Sequence, residues 1–497
     1  MNIPSYVARN ARKYPQQEAV VEPNARHTWA ELNQRVNQLA NYLHDEHGVD
    51  FGHRVALLLP NNFAFIVSYF AVQRLGAVVV PVNVRLATPE LEYIIEDSGS
   101  DLVITCELTD AAIKPLADNG TNVIWMDNID DLLSGLDSDE FELNVDQDDA
   151  CALLYTSGTT GKPKGVLFNH NALSAVGTMF AVEMEYKPTS RILSLMPFTH
   201  SAPLNLCLVG GTMVGATHVV APTFTPDLLL DLVEKERTTH FFGAPVAYLL
   251  TAQHSDIGNR DLSSMTHWIY GGGPLASEHT NLARKAFRSD KFYCVYGLTE
   301  AGPTGCVLLP EEHGAKAGSI GKRAAYNTEV RLVDDNNEPV PAGEPGELQL
   351  TGEGIMLGYW QNPDATDDTL TGDGWLKTGD IAIQDEDGYY WVKDRQKDII
   401  ISGGVNIYPR EIEDALAEHP AVLESAVIGV DHPEWGETVR ACVVLNRELS
   451  DPEATLKEHL KPLLADYKIP RQFMVMDELP HNANGKVLKH ELRELLD

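Results

Sequence analysis

The run Tyr155-Thr156-Ser157-Gly158-Thr159-Thr160-Gly161-Lys162-Pro163-Lys164-Gly165 packs four Ser and Thr hydroxyls, two lysines and three glycines between two apolar stretches. Small residues leave backbone N–H groups uncovered, hydroxyls add donors and lysines add positive charge. A loop of that make-up can close around a phosphate chain. It is not a Walker A loop, which needs four residues between its glycines and Ser or Thr after its Lys. Here Gly158 and Gly161 enclose two residues, and Pro163 follows Lys162. Strand-like sequence on both sides (151–155 and 166–168) predicts a turn between strands. The plain alternative is a flexible Gly/Thr turn.

Other stretches carry chemistry-bearing side chains in turn-forming surroundings. Gly271-Gly272-Gly273 follows an apolar run, where missing side chains let a flat ring approach the backbone. In Tyr296-Gly297-Leu298-Thr299-Glu300 the Tyr can stack on a base, the Thr can donate to a phosphate and the Glu can hold Mg²⁺. Each also has an ordinary reading as a tight turn or an exposed acid. Asp380 ends the turn Thr378-Gly379-Asp380, and a carboxylate at the end of a tight turn can accept two hydroxyls. His200 lies in the Pro-flanked loop 197–203, where a structural histidine is the alternative. Asn484-Gly485 is a strong turn signal, and spacing alone leaves Lys486 as a solvated lysine.

The ordered set of motifs 155–165, 296–300, 378–380, Asp394-Arg395 with Lys397-Asp398, Gly403-Gly404 with Glu411-Ile412-Glu413, and Asn484-Gly485-Lys486 resembles the adenylate-forming superfamily. That family holds acyl- and aryl-CoA synthetases, peptide-synthetase adenylation domains and beetle luciferases. The resemblance spans nearly the whole chain. It implies ATP, Mg²⁺ and CoA as cofactor and co-substrates. It assigns Thr156, Ser157, Gly158, Thr159, Thr160 and Lys164 to the phosphates. Gly271, Gly272, Gly273, Val295, Tyr296 and Gly297 go to adenine, Thr299 to the α-phosphate and Glu300 to the metal. Asp380 and Arg395 contact the ribose or phosphate. Lys486 becomes the catalytic cation and His200 an orienting contact beside the reacting carboxylate. Lys397 becomes the hinge of a mobile C-terminal domain, and Gly403 and Gly404 line a pantetheine tunnel. Cys294 departs from the pattern, since many relatives carry Gln or Asn there, so the base contact at that point is open.

Those side chains need a scaffold. With 497 residues, at least two domains are expected. Short apolar strands such as 54–60, 77–82, 102–105 and 123–126 alternate with helical spacing, as in Leu32, Val36, Leu39 and Leu43. That predicts an α/β fold: a large N-terminal domain of layered α/β subdomains plus a small β subdomain near 318–360, over residues 1–396. A small mobile α+β domain follows over 397–497. Acidic residues outnumber basic ones 72 to 38, a net charge of −34. This argues against nucleic acid and anionic membrane as partners. The acid-rich segment 127–149 reads as a solvated loop pointing away from the nucleotide. Six cysteines without CxxC spacing read as buried thiols in a reducing compartment. The N-terminus has no apolar signal region, and the apolar stretch 206–222 is broken by glycines, so a cytoplasmic enzyme without a transmembrane segment is expected. The sequence leaves the oligomeric state open, with a homodimer as the candidate.

The segment 194–205 holds no Asp or Glu. Peptide-synthetase adenylation domains usually place an Asp there against an amino group, so the resemblance implies an acid without an α-ammonium. The stretches 200–204 and 401–406 look most like bacterial medium- and long-chain fatty acyl-CoA synthetases and related aryl-CoA ligases. A fatty acid is the expected substrate. The alternatives are an aryl-CoA ligase of benzoate, coumarate or succinylbenzoate type and a luciferase-like adenylating oxygenase. Residues 239–250, apolar and aromatic, are the expected acyl wall.

Overall fold

The computed structural model describes the whole chain except residues 141–143, 157–161, 274, 276, 403–404, 434, 482–486 and 497. It divides into two compact units. The first comprises Met1–Thr156, Pro163–Val330 and Leu350–Leu376, and the second is chiefly Arg331–Gln349 and Lys377–Asp497.

Among the described residues the first unit holds two large sheets. One has seven strands in the order Gly358–Tyr359, Lys164–Asn169, Ala150–Thr156, Val78–Pro81, Arg54–Leu58, Leu102–Thr105, Val123–Trp125. From Ala150–Thr156 onward the pairs are parallel, and the two strands at the other edge are antiparallel. The β-branched runs in Val78–Pro81 and Leu102–Thr105 are buried throughout, as strands covered on both faces require. Parallel neighbours need crossovers, and Phe63–Arg74 is one. It is apolar on every side and buried along its whole length, so it serves as a core helix. Asn62 caps it by accepting the Phe65 N–H at 2.8 Å.

The second sheet runs Arg323–Ala324, Gly305–Leu308, Phe292–Gly297, His267–Gly271, His240–Gly243, Arg191–Ser194, Thr217–Val220, Glu18–Val21, Arg26–Thr28. Its six central strands are parallel. Alternate residues share a face, so Phe242, Ile269 and Val295 point together into one core. Helix His170–Glu183 packs there through Val176, Met179 and Phe180. Parallel strands present their C-terminal ends together, so Gly243, Gly271 and Gly297 lie at one end of this sheet. In open α/β sheets that end is where ligands bind.

The second unit carries the greater part of a four-stranded sheet, in the order Thr328–Val333, Gly346–Gly352, Leu376–Gln384, Tyr390–Arg395. It also carries a five-stranded sheet built on the long antiparallel pair Val422–His432 and Gly436–Leu445. Helix Pro409–Ala417, opened by a proline at its first turn, packs Ile412 and Leu416 on that sheet with Leu456 and Leu460 of helix Pro452–Leu460.

The α/β layering matches the expectation from sequence; the small β sheet extends beyond the expected 318–360 to take in Leu376–Gln384 and Tyr390–Arg395 and lies mostly in the second unit. The stretch 206–222 is broken as expected: residues 202–209 form a wide π-type helix, Gly210–Val214 an α-helical turn and Thr217–Val220 a strand. All six cysteines are unpaired and buried. No helix among the described residues is long and apolar enough to cross a membrane.

Candidate active site

The legs of the hydroxyl-rich loop are strands, as its flanks predict. Thr156 faces Lys164 across an antiparallel pair, and Thr156 Oγ1 donates to the Lys164 carbonyl at 3.4 Å. The loop residues Ser157, Gly158, Thr159 and Thr160 lie outside the described residues, as do Gly403, Gly404 and Lys486.

Asp97, on helix Thr88–Ser98, ties both legs down. Its carboxylate accepts the Tyr155 hydroxyl at 2.6 Å and the Tyr93 hydroxyl at 3.3 Å. Tyr93 also reaches the Pro163 carbonyl at 3.0 Å, and the Trp360 indole donates to the Asp97 carbonyl at 3.1 Å. Burial, reinforced by the Asp97 carboxylate, pushes the Tyr155 phenol far above its ordinary pKa. Tyr155 therefore stays a donor at any physiological pH.

At the end of strand Phe292–Gly297 the chain turns sharply through Thr299–Ala301. Gly297 is required there: a Cβ would sit 2.3 Å from the Pro303 carbonyl oxygen. Tyr296, Thr299 and Glu300 are half-buried at this turn. Glu300 accepts the Tyr359 hydroxyl at 2.8 Å, and its carbonyl accepts the Met356 N–H at 2.9 Å. The Lys164 ammonium lies 4.8 Å from the centre of the Tyr359 ring. The structure thus gathers Lys164 and Glu300 about one tyrosine that the sequence reading did not single out.

Gly271 ends the neighbouring strand, where a Cβ would meet the Val295 carbonyl at 2.5 Å and the Phe242 ring at 3.3 Å. Gly272 and Gly273 continue past the strand end. Cys294 is buried and points to the opposite face from Val295.

His200 sits in the loop before the wide helix, its N–H on the Pro197 carbonyl at 3.0 Å. The packing around it pushes its imidazole down to about 4, by desolvation, so the ring is neutral at pH 7. A buried Asn61 fixes this loop, donating to the Met196 carbonyl at 2.8 Å and accepting the Phe198 N–H at 2.8 Å. Fully buried Asn205 joins it to the Glu300 turn, with Nδ2 donating to Ser201 Oγ at 3.1 Å and to the Gly302 carbonyl at 3.3 Å. Wide helical turns of this kind are frequent at functional sites.

In the second unit Asp380 and Arg395 face each other across strands Leu376–Gln384 and Tyr390–Arg395. Arg395 Nε meets Asp380 Oδ1 at 2.7 Å, and Nη1 donates to the Thr378 carbonyl at 2.9 Å. Thr378 Oγ1 accepts the Asp380 N–H at 3.0 Å. The carboxylate is therefore fixed in direction, with its side chain 7 % exposed. Lys397 lies on the single turn Gln396–Asp398, between Tyr390–Arg395 and Ile400–Ser402. Arg493 holds that turn through Asp398 at 3.2 Å.

Among the described residues no group of three or more His, Cys, Asp or Glu could hold a metal. A Mg²⁺ ion is commonly held by one or two carboxylates with substrate phosphates and water. Glu300 offers such a carboxylate.

Comparison with known proteins places this geometry. Residues 7–360 match the model of the AMP-binding enzyme family and residues 411–486 that of the AMP-binding enzyme C-terminal domain. A feruloyl-CoA synthase of Amycolatopsis is 39% identical over 490 residues, covering 98% of each chain. A long-chain-fatty-acid–CoA ligase of Mycobacterium tuberculosis is 34% identical over 502 residues, covering 99% of this chain and 98% of its own. The crystal structure of an anthranilate CoA ligase in complex with anthranoyl-AMP superposes with a TM-score of 0.92 at 28% identity, covering 100% of this chain and 97% of that one.

Proposed function

The chain belongs to the AMP-binding enzyme family and is an ATP-dependent acid–CoA ligase, and from that premise we propose that its acid is a compact aryl or arylpropenoic acid of the ferulate kind. The observation that carries this is the far end of the face bearing Phe242, Ile269 and Val295. The His240 and His267 rings stack there at 4.4 Å, and His267 stacks on Tyr293 at 4.6 Å. Tyr186 stands edge-on to His240 at 4.8 Å. From Gly271 back to His267 is four residues, about 13 Å at the rise of a strand. That length suits a ring with a short side chain and is short for an extended long-chain acid. Similarity to a feruloyl-CoA synthase supports the reading. A medium- or long-chain fatty acid is the second reading. It draws on the flexible Met179 and Met184 in the same core and on the fatty-acid ligase relative.

A carboxylic acid is a poor acyl donor. In the proposed first step a carboxylate oxygen bonds to the α-phosphorus of ATP and the bond to pyrophosphate breaks. Two anions must meet, so fixed donors and cations lower the barrier. Lys164 with the hydroxyls of 156–160 holds the outer phosphates, and Thr299 donates to the α-phosphate. Tyr296 stacks on adenine beside Gly271, Gly272 and Gly273, while Asp380 and Arg395 hold the ribose. Glu300 would hold Mg²⁺, whose charge would offset that of the phosphates. Neutral His200 orients the carboxylate and moves no proton. Lys486 supplies the cation at the reacting atoms. In the second step the CoA sulfur, having lost its proton, bonds to the acyl carbon and AMP leaves. Gly403 and Gly404 pass the pantetheine chain once the domain after Lys397 has turned.

Pyrophosphate release with ATP and CoA, measured for alkanoic acids from acetate to stearate and for benzoate, coumarate and ferulate, tests the acid. The highest kcat/KM is expected with the arylpropenoates, and a maximum at palmitate or stearate would reverse the order of the two readings. Lys397→Pro removes the freedom of the turn. It should leave acyl-AMP formation within about twofold and stop thioester formation. Normal overall turnover in that variant would rule out a hinge at Lys397.

A further inference from the structure

We propose that Tyr359 is a positioning residue that sets the Glu300 carboxylate for the nucleotide-bound metal while carrying Lys164 on its ring. The inference rests on the reading of Glu300 as the metal-holding carboxylate.

The backbone around Tyr359 is stitched on two sides. Gly358 and Tyr359 pair antiparallel with Leu167 and Val166 of the strand that begins at Lys164. Leu357 and Trp360 donate to the Leu167 and Gly165 carbonyls, each at 2.8 Å. On the other side, Met356 N–H reaches the Glu300 carbonyl at 2.9 Å. The Tyr359 N–H is held by Thr366 Oγ1 at 2.9 Å. The side chain therefore projects from a fixed base.

Its two ends do different things. The hydroxyl lies 2.8 Å from Glu300 Oε1. An ionised carboxylate only accepts, so the phenol donates. That bond fixes the direction of a side chain with three rotatable bonds of its own. The ring face meets the Lys164 ammonium, 4.8 Å from its centre, within the reach of a cation–π contact. One side chain thus couples a candidate phosphate cation to the candidate metal carboxylate, which lie 136 positions apart in sequence. Groups that orient a metal ligand commonly cost 10- to 100-fold in metal affinity when removed.

Tyr359→Phe keeps the ring and removes the donor. Equilibrium binding of ATP by calorimetry, with Mg²⁺ and with EDTA and no acid present, needs no turnover. For the wild type the affinity for MgATP should exceed that for ATP alone. In Tyr359→Phe the MgATP affinity should fall about tenfold while the EDTA value stays at the wild-type level. Tyr359→Leu, which also loses the ring, should weaken both. Each ratio is read within one folded protein, so a general loss of stability does not move it. Glu300→Gln separates the two ideas. If it abolishes the Mg²⁺ effect while Tyr359→Phe leaves that effect intact, the positioning role is overturned. If Glu300→Gln itself leaves the Mg²⁺ effect intact, the reading of Glu300 falls and the proposal with it. Tyr359→Phe adding little to Glu300→Gln supports action through the carboxylate.

Discussion

Replacing Lys486 with alanine is expected to stop acyl-AMP formation while sparing transfer from preformed acyl-AMP to CoA. The asymmetry follows from charge. Bringing a carboxylate to the α-phosphate of ATP sets anion against anion, in a protein whose own net charge is −34. A fixed cation at the reacting atoms favours the transition state over the separated reactants, and its removal should cost about 10²-fold or more in rate. Thioester formation begins from an uncharged acyl carbon and expels AMP, so it has far less need of that cation. Pyrophosphate exchange reads the first step and single-turnover thioester formation reads the second. Equal loss in both would sink the role assigned to Lys486.

Acid should unfold the first unit through its buried histidines. His170, His218, His240 and His267 are almost fully buried. Desolvation holds their imidazoles down to about 4, 3, 3 and 4, with the neighbouring ring adding to the effect at His240. In the unfolded chain they titrate near 6.5. Their contribution is thus complete above about pH 6.5 and drains away as pH falls toward the depressed values. These four protons taken up on unfolding give a slope of about 5 kcal/mol per pH unit near pH 5, and His200, also held down to about 4, adds to it. A domain's whole stability is about 5–15 kcal/mol, so this is a large effect. Net charge alone predicts the reverse, since adding protons relieves repulsion in so acidic a chain. Urea unfolding followed at pH 7, 6 and 5 distinguishes the two. Stability that is flat or rising toward pH 5 would refute the histidine account. His240→Gln should lower the slope by about 1.4 kcal/mol per pH unit.

The candidate residues legible in sequence are those whose proposed roles depend on local composition. The hydroxyls and glycines of 155–165, the glycines after Tyr270 and the turn at Thr299 announce themselves by residue type. The parts that were not legible act over distance. Asp97 grips Tyr155 from 58 positions away, Asn61 pins Phe198 from 137, and Tyr359 meets Glu300 from 59. No local pattern records such pairings, because each depends on the register of strands and helices elsewhere. Asp97 ends an amphipathic helix and Tyr359 follows a glycine, both common surroundings. Buried Asn61 is of the same kind: the partners that satisfy its amide, Met196 and Phe198, lie far along the chain. The wide helix at Ala202–Val209 was hidden for another reason. Its apolar run and following glycines fit an irregular segment as readily as an underwound one.

Gly271 limits how this enzyme can change its diet. Because the next strand's carbonyl stands 2.5 Å from where a methyl group would go, natural variation cannot place a side chain at that point without shifting the strand. On the proposed reading, a change in the acid accepted must come instead from side chains beside it, such as Phe242, within the limits of a packed core.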